Sequence, residues 1–231
     1  MSYGVGLMLF VLGSVVAAAA ADPYAAARQL MMEKDLKGRD ITDVQVLKAM
    51  ELTPRHLFVS PELQQRAYDD RPLPIGHGAT ISQPYIVALM TQAAQVRPGQ
   101  RVLEVGTGSG YQAAVLAHIT DEVYSIELVP ELARSAAERL ARLGYKQVRV
   151  KAGDGYQGWP EFAPFDAIVV TAAAPEIPPR LKDQLKDGGR LVIPVGPVYG
   201  PQNLLCLTRK GDTFTEEILC PVAFVPLVQP R

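Results

Sequence analysis

Cysteine and surplus charge are both scarce in this chain, and each scarcity closes a class of function. Cys206 and Cys220 are the only two cysteines, too few for a disulfide framework and without the spacing of metal ligands. No metal is expected. Lys and Arg number 23 against 24 Asp and Glu, a net charge of −1 with no dense basic run, so the electrostatic footprint of a nucleic-acid binder is missing. Charge is absent altogether from residues 1–21, where Val5 to Val16 is nearly continuous apolar sequence leading into Ala17 to Ala21. This stretch reads as a signal peptide ending near Asp22, which makes export to the periplasm the expectation. Its start, Met1 to Gly4, carries no Lys or Arg, which leaves a retained membrane anchor or a misplaced start codon as alternatives. The remaining 22–231 suffice for one domain, since a chain of 231 residues with 48% hydrophobic content can bury a substantial core.

What the chain does have is glycine in a telling place. Val102-Leu103-Glu104-Val105 runs directly into Gly106-Thr107-Gly108-Ser109-Gly110, a strand meeting three glycines spaced two apart. Glycine tolerates the left-handed dihedrals of a tight strand-to-helix turn and lets a ligand approach the main chain. Tyr111 to His118 then reads as a helix whose N-terminus faces the same spot. A dinucleotide fingerprint would read G-x-G-x-x-G, but the third glycine comes one position early and Tyr111 takes its place. The pattern E-x-G-x-G-x-G is instead similar to that of S-adenosylmethionine enzymes. Alone it would be an ordinary glycine-rich turn. Two more carboxylates support it: Glu127 closes the strand Val123 to Ile126, and Asp154 follows the strand Val148 to Lys151. Ligands bind at the C-terminal edge of a parallel sheet, where all three acids fall. Asp154 would accept from an adenine amino group, Glu127 would take the ribose hydroxyls, and Glu104 would help hold the cationic methionine end. For Asp154 by itself an Asx-turn between Gly153 and Gly155 is an equal reading.

The rest of the chain alternates. Asp22 to Met50 is helical in character, with a cap expected at Asp40 or Thr42, and Thr53-Pro54 ends it. Asp69 to Ser82 is dense in Pro and Gly and reads as a functional loop. Helical periodicity resumes after Pro84. Strand 101–105, helix 111–118, strand 122–126, helix 130–143 closed by Gly144, strand 148–151 and strand 167–171 follow, the βαβ signature of a parallel sheet. A short helix follows Pro178-Pro179, Gly188-Gly189 turns into strand 190–195, and strands 204–209 and 214–219 close an antiparallel edge. A hairpin turn centred on Gly211 would set Cys206 opposite Glu216 and Cys220 opposite Gln202, leaving the thiols unpaired. The expected fold is therefore α/β, Rossmann-like, with a mostly parallel seven-stranded sheet, helices on both faces and a helical N-terminal extension over 22–98.

On the acceptor side, Ser82 stands where a helix begins, with Pro84 in its first turn. A helix N-cap is the plain reading, and the same geometry would receive a carboxylate. Here the chain resembles a known family, the protein-L-isoaspartate O-methyltransferases. The matching residues are Ala67 to Asp70, Pro72 to Gly76, Thr80-Ile81-Ser82-Gln83-Pro84-Tyr85-Ile86-Val87-Ala88, Glu104 to Val115, Gly153-Asp154-Gly155, Ala163 to Asp166, Val170 to Ala173, Gly188-Gly189 and Phe224 to Leu227. The likeness runs from about Leu30 to Leu227. Thr-Ile-Ser-Gln-Pro is its distinctive piece. Two departures stand out: Ala79, where Gln is expected in bacterial members, and the uncharged leader, which sits awkwardly with the family's cytoplasmic location.

The resemblance implies methyl transfer from S-adenosylmethionine to the free α-carboxylate of an L-isoaspartyl residue in a damaged protein or peptide. The ester then collapses to a succinimide that reopens as aspartate. It also implies a cofactor site at Thr80, Ile81, Ser82, Glu104, Gly106, Thr107, Gly108, Ser109, Gly110, Glu127, Asp154 and Gly155, with Ser82 as the catalytic position and Gln83 beside it. The chemistry fits, because an α-carboxyl group with a pKa of roughly 3.3 to 3.7 is already ionised at neutral pH and needs no general base. His77 is then expected as a loop residue over the site, His56 and His118 as surface or helix-end residues, and Trp159 either over the adenine or packed beneath a loop. Val222 to Leu227 would offer an edge for peptide backbone. A monomer without stable membrane attachment is expected, unless the leader persists. Methylation of a small carboxylic acid, and a non-catalytic cofactor-binding protein, are the competing readings; glycine spacing disfavours a nicotinamide dehydrogenase.

Overall fold

From Ala25 the chain is helical, first as α1 (Ala25–Leu30), then through a π-helical turn over Met31–Lys37. α2 (Val44–Leu52) is capped one residue beyond Thr42 and three beyond Asp40: the Asp43 carboxylate accepts the Gln45 and Val46 N–H groups at 2.9 and 3.3 Å. The Pro- and Gly-rich stretch is a structured hairpin, β1 (Leu73–Gly76) and β2 (Ala79–Ile81), whose tip of Gly76, His77 and Gly78 has three successive positive φ angles. α3 (Pro84–Ala94) follows. The structure is a computed structural model describing Met1 and residues 22–198 and 200–230, so the expected leader over 1–21 lies outside the described residues except for Met1. Among the described residues no helix is long and apolar enough to cross a membrane.

The alternating half follows as predicted: β3 (Arg101–Val105), α4 (Tyr111–Ala117), β4 (Glu122–Glu127), α5 (Pro130–Arg142), β5 (Val148–Ala152), β6 (Phe165–Val170), α6 (Pro179–Asp183), β7 (Leu185–Val195), β8 (Gln202–Lys210) and β9 (Thr213–Val222). The sheet order is β5-β4-β3-β6-β7-β8-β9, parallel through β7 and antiparallel for the last two strands. Successive strand residues face opposite ways, so Val102, Val123, Ala167 and Val192 join the core formed with the N-terminal helices, α3 and α4. Leu103, Tyr124, Ile168 and Leu191 form the core on the other face with α6. Fully buried apolar runs of this kind are what a sheet covered on both faces requires. Helix α5 lays the stripe Leu132, Ala133, Ala136 and Leu140 inward, and Gly144 at φ +92 ends it, with the Tyr145 N–H donating to the Leu140 carbonyl at 2.9 Å.

Most strand ends shift by one to three residues from expectation, and two differences alter the register. β7 starts at Leu185, and Gly188-Gly189 is an irregularity within it, where the register against β6 shifts between Phe165 and Ala167. The β8–β9 turn is the two-residue Gly211-Asp212, so Cys206 faces Glu217 and Cys220 faces Leu204, with a bulge between Leu204 and Leu205. Both thiols are nonetheless free.

Candidate active site

Strand order reverses beside β3: α4 and β4 lie to one side and β6 to the other. At such a switch point the loops diverge and leave a crevice at the C-terminal strand ends. A cavity of about 270 Å³ lies there. Gly106 and Gly108 form its floor, Glu127 and Gly155 one side, Thr171 and Ala172 the other, and the hairpin tip from His77 to Thr80 its rim, with Val129 and Leu132 as an apolar wall. A smaller cavity of about 20 Å³ adjoins it, lined by Thr80, Ile81, Ser82, Glu104, Thr107, Ser109 and Gln112 and sharing Gly106, Gly108 and Thr171.

The glycines are required by what surrounds them. Gly106 has φ +100, and a Cβ there would stand 2.4 Å from Thr171 Oγ1. Thr171 cannot retreat easily, because that hydroxyl donates to the Gly106 and Val105 carbonyls at 2.7 and 3.1 Å. Gly108 lies in the cradle itself, whereas Gly110 faces neither cavity: its missing Cβ leaves room for Leu140 of α5 at 3.1 Å. Its work is helix packing.

Glu127 holds the loop with both oxygens, accepting the Gly108 N–H at 2.8 Å and the Val129 N–H at 3.0 Å, and still lines the larger cavity. Glu104 is fully buried. One carboxyl oxygen accepts from Ser125, which also pairs with Thr107 at 2.5 Å; the other, Oε1, has no partner. Burial pushes the Glu104 pKa up to about 8, with the nearby Glu127 charge adding to the rise. Gln112 Oε1 in the same small cavity is likewise unpartnered. Two orphaned acceptors beside a glycine cradle fit a ligand bearing a positive centre and N–H donors. S-adenosylmethionine has that donor set.

Ser82 is not the cap. The Tyr85 N–H at the start of α3 is accepted by Asp70 Oδ1 at 3.1 Å, while Asp70 Oδ2 receives the Gln83 amide at 2.7 Å. The Ser82 hydroxyl has no hydrogen-bond partner among the described residues and opens on the small cavity. Asp154, by contrast, does act as a cap, accepting the Tyr156 N–H at 2.9 Å and the Gln157 amide at 3.3 Å; its neighbour Gly155 lines the cavity. Ser109 turns its hydroxyl toward the Tyr111 N–H at 3.4 Å. Trp159 lies away from both cavities, packed edge-on against Tyr124 and Phe162 with centroids at 5.6 and 5.3 Å. His77 lines the rim, whereas His56 stacks on Tyr24 at 4.1 Å and His118 meets the Tyr145 hydroxyl at 3.1 Å.

Thr171, Ala172, Val129 and Leu132 line the cavity beyond the site residues expected from the sequence, and the Val222–Leu227 edge meets it at Val225 to Leu227. Thr171 directly follows β6 at the sheet edge where the carboxylates lie, and the same edge rule points to it. Val225 to Val228 line the cavity because this segment returns to pair with Ala173, whose N–H donates to Val225 at 2.8 Å and whose carbonyl accepts from Leu227 at 2.7 Å. One edge of the segment proposed for peptide backbone is thus occupied, and Gln202 takes both polar groups of Phe224, at 2.7 and 3.3 Å. The Val225 N–H remains without a partner among the described residues.

A model of the protein-L-isoaspartate(D-aspartate) O-methyltransferase family matches residues 26–231. The chain belongs to that family. A protein-L-isoaspartate O-methyltransferase of Opitutus terrae is 57% identical over 204 residues, 88% of each chain. A solved protein-L-isoaspartate O-methyltransferase superposes with a TM-score of 0.77 at 30% identity, over 86% of this chain and 65% of that one. A candidate member from Plasmodium falciparum, in complex with S-adenosyl-L-homocysteine, gives 0.76 at 30% identity over 88% and 99%. Methyltransferase family members thus share both the sequence and the fold of the sheet that carries the two cavities.

Proposed function

We propose that this methyltransferase transfers the S-adenosylmethionine methyl group to the free α-carboxylate of L-isoaspartyl residues in damaged proteins and peptides, starting their return to aspartate through a succinimide. The observation that carries the reading is the free Ser82 hydroxyl facing a small cavity between the acceptor hairpin and the glycine loop, with its expected capping duty met by Asp70. When bound, the cosubstrate supplies an electrophilic methyl group. Gly106 and Gly108 give it bare backbone, Glu127 has lone pairs left for ribose hydroxyls, and Glu104 presents its free oxygen to the cationic end. Asp154 Oδ2, held by a single amide at 3.3 Å, is the acceptor left for an adenine amino group.

Ser82 donates to the incoming carboxylate and orients it. No proton need be removed, since the acceptor is ionised throughout the neutral range. The enzyme's task is alignment and exclusion of water, which the hairpin rim and the apolar wall of Val129 and Leu132 serve. Methanol release from an isoaspartyl peptide and from its aspartyl twin tests the proposal. Release from the first alone is expected; equal release from both, or from small carboxylic acids only, would overturn it.

A further inference from the structure

We propose that Arg55 is a positioning residue of the acceptor site, a buried cation that pins the main chain of Ser82 and gives the acceptor loop the positive potential an incoming carboxylate meets. The inference rests on the acceptor chemistry proposed above. Arg55 is 0% exposed. Its Nε donates to the Ala67 carbonyl at 2.6 Å and its Nη2 to the Ser82 carbonyl at 2.7 Å, while Cζ stands 4.8 Å from the centroid of the Tyr111 ring. Residues 67 and 82 bracket the hairpin that rims the cavity, so one guanidinium ties both ends of that segment. Nη1 has no acceptor.

The charge is what makes this more than a strut. A fully buried cation is ordinarily paired with an anion, because desolvation without compensation is strongly unfavourable. Among the described residues none of the ion pairs includes Arg55. Asp70 is occupied by Gln83, the Tyr85 N–H and Arg39, the last at 3.4 Å. The positive charge is held by two carbonyls and a ring face, with the Asp70 carboxylate and the Tyr68 and Tyr111 hydroxyls in its field but no carboxylate paired directly with it. It therefore remains available, at one residue's remove, to an anion docked at the Ser82 hydroxyl, where low dielectric makes it count. Lysine could keep the charge, but it has no planar fork to span two carbonyls.

The test uses the full chain with S-adenosylhomocysteine bound, an isoaspartyl peptide, and its twin carrying an α-carboxamide. Calorimetry gives the preference for carboxylate over carboxamide. Arg55→Met is expected to lower that preference by about tenfold or more, as loss of one charge-assisted interaction does. Arg55→Lys should keep it within roughly threefold, while kcat falls about tenfold or more because the two-carbonyl clamp is gone. S-adenosylhomocysteine affinity should stay within about threefold in both variants, whereas a strut for the whole loop would lose it in parallel. Unchanged preference in Arg55→Met, unchanged kcat in Arg55→Lys, or a parallel loss of S-adenosylhomocysteine affinity overturns the proposal. Should Arg55→Met not fold, the Arg55→Lys kcat and preference decide alone. A parent protein that methylates neither isoaspartyl peptide nor aged protein sinks the functional reading and this inference with it. A parent that methylates normally beside variants that match it sinks the inference alone.

Discussion

Replacing Glu104 by glutamine keeps the shape of the side chain and removes its titration, which isolates the energetic consequence of burying this acid. Its pKa rises from an ordinary 4.5 to about 8 because it is wholly buried, with one oxygen unpaired. A raised carboxyl pKa means that the folded protein binds a proton that the unfolded chain releases. The stabilising contribution is complete below pH 4.5 and is lost as pH climbs through 8. At 1.36 kcal/mol per pH unit, this one group costs the ligand-free protein roughly 3–4 kcal/mol of stability between roughly pH 5 and pH 8. Urea unfolding of parent and Glu104→Gln at several pH values, without cosubstrate, measures it, since the titration of groups not coupled to Glu104 cancels in the difference and the difference reports Glu104 together with its effect on Glu127. Near pH 5 the two should be alike within about 1 kcal/mol; toward pH 8 the variant should gain on the parent by roughly 3 kcal/mol. A difference that stays flat across this range would refute the argument.

Ser82→Ala should leave stability within about 0.5 kcal/mol, since its hydroxyl bonds nothing among the described residues, yet lower methanol release from isoaspartyl peptide roughly ten- to a hundredfold; comparable losses of melting temperature and turnover would contradict this. Gly106→Ala forces a Cβ against Thr171 Oγ1 at a positive φ, for a loss of about 2–5 kcal/mol, part of which Thr171→Ala should return in the double variant; purely additive melting shifts would rule out the clash. Asp70→Ala removes the acceptor for the first N–H of α3 and should cost about 1–2 kcal/mol, a melting-point drop of a few degrees by calorimetry, whereas no drop would mean that the cap carries no weight.

What was legible in the sequence was whatever depends on neighbours along the chain. The strand–glycine–helix of β3 and α4, the repeat through β6, and the closing of α5 at Gly144 follow from local period and local dihedral demand. The hairpin β1–β2 was hidden because its strands are only four and three residues long, and Pro74 and the glycines mask any alternation. The cap of α3 was illegible for a different reason: Asp70 lies 15 residues before the N–H it accepts, and no local pattern announces such a partner. Asp154 shows the limit within the site, since the same residue reads as ligand acceptor or turn cap, and its first two bonds are those of the turn. Arg55 gave no signal beyond standing between Pro54 and His56 in an apolar neighbourhood; only the fold shows where its donors go.

Because a distant aspartate secures the helix that Ser82 precedes, the scaffold makes no capping demand on the side chain at position 82. That vacancy of duty makes the position an adjustable one. A cysteine, close to serine in size, could be installed there to retune which anion is greeted without disturbing the cap of α3.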